Sequence, residues 1–128
     1  MIKKIDKESY FILCSWWKKH GLETAPPIEF LEDKGYFSFV NDVPAFFGTL
    51  YCAPPIGFIT FMTSNPVSSW EDKETAFNKL TAHLESLAKS NGVIALIAES
   101  NNKNLCDRFI NFGFDKKDEN ITHLLKGI

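Results

Sequence analysis

The spacing of hydrophobic positions changes along the chain from helical to alternating and back, and each change marks an element. Ile2 to Ile5 reads as a short first strand, and Asp6 is placed to cap a helix from Lys7 to His20 that Gly21 ends. Within it Tyr10, Leu13 and Trp17 recur at helical spacing with Cys14 and Trp16 beside them, a broad apolar stripe suited to a flat surface. Trp16 and Trp17 cannot both face inward on one helix, so one is left for a cleft, an interface or the loop containing Pro26-Pro27. Leu22 to Lys34 reads as that connecting loop, with a turn of helix around Ile28 to Glu32.

From Gly35 the period shortens to two. Tyr36 to Val40 and Val43 to Cys52 flank the tight turn Asn41-Asp42, and Ile56 to Met62 follows Pro54-Pro55 as a third strand that Ser64-Asn65-Pro66 stops. This predicts an antiparallel meander. The helical period then returns: Ser68-x-x-Glu71 has the form of a capping box, and Phe77, Leu80, Leu84, Leu87 and Ala88 line one face of a long helix ending at Ser90-Asn91-Gly92. Val93 to Ala98 is apolar throughout, as a strand buried on both faces would be. A helical crossover makes it parallel to the meander's last strand. Asn101-Asn102 leads into a helix from Lys103 to Phe112, with Leu105, Phe109 and Phe112 on one face and Gly113 as its stop, and a last strand runs from Ile121 to Lys126.

Composition narrows the classes of function. A chain of 128 residues and 14.6 kDa is one domain, residues 1–128, with enough apolar content at 45% to build a core. A net charge of −2 gives no field for a polyanion, so nucleic acid is not an expected partner. No apolar run reaches the roughly 18 residues of a membrane span, and the first residues lack a signal core, so a cytoplasmic protein is expected. Cys14, Cys52 and Cys106 fit neither a disulfide framework nor a zinc site and read as buried thiols. His20, His83 and His123 have no metal spacing, so no metal is expected, and His20 at a helix end suits the helix dipole. No serine-hydrolase motif occurs.

The order of elements is similar to that of the GNAT acetyltransferases, a mixed α+β fold with an antiparallel meander, one splayed parallel strand pair and helices on both faces. Asn102, Phe109 and Gly113-Phe114 resemble that family's late motif, Ile56-Gly57-Phe58-Ile59 resembles the start of its fourth strand, and Asn65-Pro66 the turn after it. The chain is similar in particular to small divergent members encoded by tailed phages, and the family resemblance implies acetyl-CoA as cofactor and a small-molecule or protein amine as acceptor, and leaves a homodimer open. It implies that Phe61, Met62 and Thr63 offer backbone groups to the pantetheine arm, that the pyrophosphate meets the helix entrance at Ser68 and Ser69, and that Asn102 and Phe109 also contact the cofactor.

The chain departs from the family where the phosphates would sit. The family's turn has two glycines, because only a small backbone loop approaches two phosphates closely, and here Ser69-Trp70-Glu71-Asp72-Lys73-Glu74 stands in its place with a net charge of −2. Weak or absent cofactor binding is the expectation. The family's Tyr acid is replaced by Phe109, which has no proton to give, while Cys106 lies one turn earlier on the same side. Glu99 at a strand end and Tyr51 near the end of the second meander strand remain as proton-handling candidates, each with a structural reading beside it: a solvated carboxylate, and a hydroxyl tied to a backbone carbonyl. Two functions follow. One is an N-acetyltransferase with a divergent phosphate loop, and the other is a catalytically inactive protein of the same fold with a binding or structural role.

Overall fold

The computed structural model describes all residues except Glu23, Asn101, Asn120, Ile121, His123 and Leu125. Its elements are β1 (Ile2–Lys4), α1 (Tyr10–Lys19), α2 (Ile28–Leu31), β2 (Gly35–Val40), β3 (Val43–Ala53), β4 (Ile56–Ser64), α3 (Trp70–Ser90), β5 (Ala95–Ala98) and α4 (Lys103–Phe112). The strand expected over Ile121 to Lys126 falls on a stretch in which Ile121, His123 and Leu125 lie outside the described residues. Two compact units are present, Met1–Ala98 and Glu99–Ile128.

The first unit holds a five-stranded sheet in the order β1-β2-β3-β4-β5. The first three pairings are antiparallel, and β4 pairs with β5 in parallel, as the crossover helix requires. Asn41 and Asp42 turn the β2–β3 hairpin with φ of +50° and +64°, left-handed conformations that a two-residue hairpin demands and that Asn and Asp tolerate.

Helices cover both faces. On one, Leu13 and Trp16 of α1 and Leu31 of α2 join Ile5, Phe37 and Phe47 in a single core, where Trp16 meets Phe37 edge-on at 5.4 Å between ring centroids. On the other, α3 buries Phe77, Leu80 and Leu84 against β2 and β3, with Phe77 edge-on to Phe46 at 5.4 Å. Trp16, rather than Trp17, is therefore the inward tryptophan of α1.

Three expectations need correction. Regular helix in α1 begins at Tyr10 instead of Lys7, although Asp6 does cap the entry: its Oδ1 accepts from Ser9 N at 2.8 Å while Asp6 N donates back to Ser9 Oγ at 3.0 Å. The strand expected over Val93 to Ala98 shortens to Ala95–Ala98 and is not buried on both faces, for Ala95 and Ile97 are exposed. The reason is that α3 packs chiefly on β2 and β3, and the α1–α2 core also lies there, so little covers β5. The cysteines are free but not buried; Cys52 is exposed near the end of β3, and Cys14 and Cys106 are half-buried.

In the second unit, α4 spans the expected Lys103–Phe112. Asn102 Oδ1 caps it by accepting from Leu105 N at 3.0 Å, and Gly113 ends it with φ of +125°, a conformation that favours glycine.

Candidate functional site

β4 outruns its parallel neighbour. Its pairing with β5 extends from Ile56↔Ala95 to Ile59↔Ala98, whereas β4 continues to Ser64, so Thr60 to Ser64 have a strand on the β3 side only among the described residues. The same stretch is bulged. Thr49 pairs with Thr60 and Phe47 with Thr63, which leaves Phe61 and Met62 together opposite Gly48. Phe61 carries the extra turn at φ of +53°, a strained conformation for a residue with a side chain, worth about 1–3 kcal/mol. Thr49 Oγ1 pins the entry to the bulge by bonding Thr60 O at 2.8 Å and Thr60 Oγ1 at 2.6 Å. Phe61, Met62 and Thr63, named from sequence, thus share one open and distorted edge.

The last turn of α1 lies over this edge. Trp17 and His20 are three residues apart and share a helix face. Trp17 packs against Phe61 at 6.5 Å between centroids, and His20 Nε2 donates to Ser64 O at 2.8 Å. A carbonyl can only accept, so the proton sits on Nε2. Sequence reasoning gave His20 only a dipole role, because a bond across 44 residues leaves no local signal.

The turn from β4 into α3 is set by Asn65. Its Nδ2 donates to Pro44 O at 2.9 Å, its Oδ1 accepts from Val67 N at 3.1 Å, and its backbone bonds Ala45 O and Ser68 N. That last bond makes Ser68 part of the turn, so the helix cap is Ser69 rather than Ser68: Ser69 is extended and its Oγ accepts from Asp72 N at 3.1 Å. Glu71 and Asp72 occupy the first turn, where they favour the helix dipole themselves. Trp70, the first residue of α3, is 60% exposed.

Tyr51 lies on β3, three residues along from Gly48, and its hydroxyl donates to Phe30 O. Burial holds its pKa above the ordinary tyrosine value, so it keeps its proton. In the second unit, Asn102 caps α4, and Phe109 is buried with its ring 5.0 Å from that of Phe114. Cys106 Sγ donates to Ser100 O at 3.2 Å, and Arg108 is buried, a feature that nothing in the helical pattern signals. Glu99 is exposed at the start of this unit. Among the described residues no group of His, Cys, Asp or Glu could hold a metal ion, and no helix is long and apolar enough to cross a membrane.

No family model matches the chain, and no curated protein does. Solved structures do. The chain resembles a probable acetyltransferase at 14% identity and a TM-score of 0.70, over 98% of this chain and 97% of that one. It resembles the aminoglycoside N-acetyltransferase AAC(6')-Iy in complex with CoA at 13% identity and a TM-score of 0.70, over 98% and 99% of the two chains. A predicted acetyltransferase with acetyl-CoA from Clostridium acetobutylicum is similar at 18% identity and a TM-score of 0.65, over 97% and 95%. Likeness at such identities speaks for architecture: the mixed sheet with its antiparallel strands, parallel pair and flanking helices is the GNAT acyltransferase fold.

Proposed function

We propose that the protein is a GNAT-type N-acetyltransferase that moves an acetyl group from acetyl-CoA to an amine. The observation carrying this reading is the one-sided, bulged run from Thr60 to Ser64. A strand edge of this kind offers backbone N–H and C=O groups to an extended ligand bearing amides, which pantetheine is. Phe61, Met62 and Thr63 would align the thioester by their backbone, Ser68 and Ser69 would meet the pyrophosphate at the α3 entrance, Asn102 would hold pantetheine by its side-chain amide, and Phe109 would support the same cofactor. The presence of CoA or acetyl-CoA in structurally similar acetyltransferases supports that choice of ligand.

Glu99 and Tyr51 divide the proton chemistry. Tyr51 holds its proton but donates it to Phe30 O, the structural role set beside its catalytic one, so donation to the departing thiolate would require that bond to open, and Glu99 suits acceptance from the amine. Cofactor affinity is low, because Glu71, Asp72 and Glu74 outnumber Lys73 at the α3 entrance. Each close like-charge pair costs on the order of 1 kcal/mol even in water. Ser69 Oγ and Asp72 N, moreover, are already bonded to each other.

That acidic entrance also favours a second reading, an inactive binding or structural protein of the same fold, for which a phage setting is one context. Backbone amide NMR with acetyl-CoA separates the two. Acetyl transfer requires shifts along Thr60 to Ser64 and at Ser68 and Ser69, and unmoved resonances at millimolar ligand support the inactive protein.

A further inference from the structure

We propose that the acceptor is a monoamine carried on an aromatic or apolar body and seated on Trp17 and Phe61, an inference that rests on the acetyl-transfer reading. Both residues are half-buried: each packs on the α1–α2 core, and the indole lies against Phe61 of the one-sided edge of β4. The bond from His20 to Ser64 O keeps the last turn of α1 on that edge, so the indole does not swing away. A half-buried aromatic pair can cover an aryl body by apolar contact and attract one ammonium through its ring faces.

Charge decides against polyamines. β4 carries no titratable side chain, and α1 has no acidic residue and ends in Lys18-Lys19-His20. Glu29 reaches α1 at Tyr10 in its first turn, away from Trp17. A polyamine would need several carboxylates here, and neither β4 nor α1 supplies one. In the reaction the ammonium first gives one proton to a base, and the neutral nitrogen attacks the thioester carbonyl. The C–S bond then breaks and the thiolate takes a proton, leaving an amide, CoA thiol and one proton released to water.

Thiol release from acetyl-CoA is to be measured with phenethylamine, tryptamine, spermidine, kanamycin and glutamate, in the unmodified protein and in Trp17→Ala, Trp17→Leu and Trp17→Phe, with folding checked by circular dichroism. The aryl monoamines should exceed spermidine and kanamycin at least about tenfold in kcat/KM, a difference of about 1.4 kcal/mol. Trp17→Ala, or Trp17→Leu if the former is unfolded, should raise KM for tryptamine about tenfold while KM for acetyl-CoA stays put, and Trp17→Phe should recover most of the loss. Preference for spermidine, kanamycin or glutamate, or an unchanged tryptamine KM in the folded variants, overturns the proposal and leaves acetyl transfer standing. No thiol release with any amine, together with no acetyl-CoA binding, overturns both.

Discussion

Met62 fills the space that a side chain at position 48 would need: a Cβ on Gly48 would fall inside contact distance of Met62 Sδ, with Leu80 Cδ2 3.4 Å away. Because Gly48 stands opposite the extra residue of the bulge, its bare Cα is what lets β4 bend there and still lay the half-buried Met62 side chain over it. Gly48→Ala should therefore destabilise by about 1–3 kcal/mol, where alanine in an uncrowded strand would gain. Shortening the neighbour in Gly48→Ala with Met62→Ala should cost less than the sum of the single changes, a coupling that urea unfolding of the four proteins in the cycle measures.

Asn65 makes the second anchor of the site. Being buried and bonded at both ends of its side chain, to Pro44 O and from Val67 N, it leaves two backbone groups without partners when removed. Asn65→Ala should cost about 1–3 kcal/mol, and Asn65→Asp should be no better, since a carboxylate cannot donate to Pro44 O. Thermal unfolding of both variants checks this.

The opposite outcome is expected at Thr81. Its hydroxyl is buried in α3 without a hydrogen-bond partner among the described residues, as is that of Ser38 on β2. Thr81→Val keeps the shape and removes the desolvated oxygen, so stability should rise by up to about 1 kcal/mol in the same assay.

These residues show where sequence reading succeeds and where it stops. The bounds of α4 were legible because a capping Asn102 and a terminating Gly113 are local signals, and the β2–β3 hairpin because Asn41-Asp42 fits its turn. The crossover from β4 through α3 to β5 followed from a long helix between two apolar runs. The bulge was not legible, since Phe61 takes a left-handed conformation without being glycine and the cause, Gly48, lies 13 positions earlier on another strand. The cap slipped from Ser68 to Ser69 because Asn65 fixes the turn by bonds to Pro44 and Ala45 in β3. The exposure of β5 depends on where α3 settles across the sheet, which the helix's own apolar face does not specify.

Asp6 gives a pH-dependent contribution. The backbone N–H of Ser9 and then its hydroxyl hold the Asp6 carboxyl below its ordinary value of 3.8. A group depressed in the folded protein stabilises it above the unfolded pKa, and that contribution fades as pH falls through the folded value. The melting-temperature difference between the unmodified protein and Asp6→Asn should thus be constant near neutrality and shrink below about pH 3.8. A difference that persists unchanged to pH 2 would place the stabilisation elsewhere.

The measurement that bears most directly on the acetyl-transfer reading is calorimetric titration with acetyl-CoA, run on the unmodified protein and on Glu71→Gln with Asp72→Asn. Saturable one-to-one binding is expected, with a dissociation constant above roughly 100 μM in the unmodified protein because its α3 entrance repels phosphate, and several-fold tighter binding once the two acids are neutralised. Failure of either protein to bind acetyl-CoA at millimolar concentration would contradict the account.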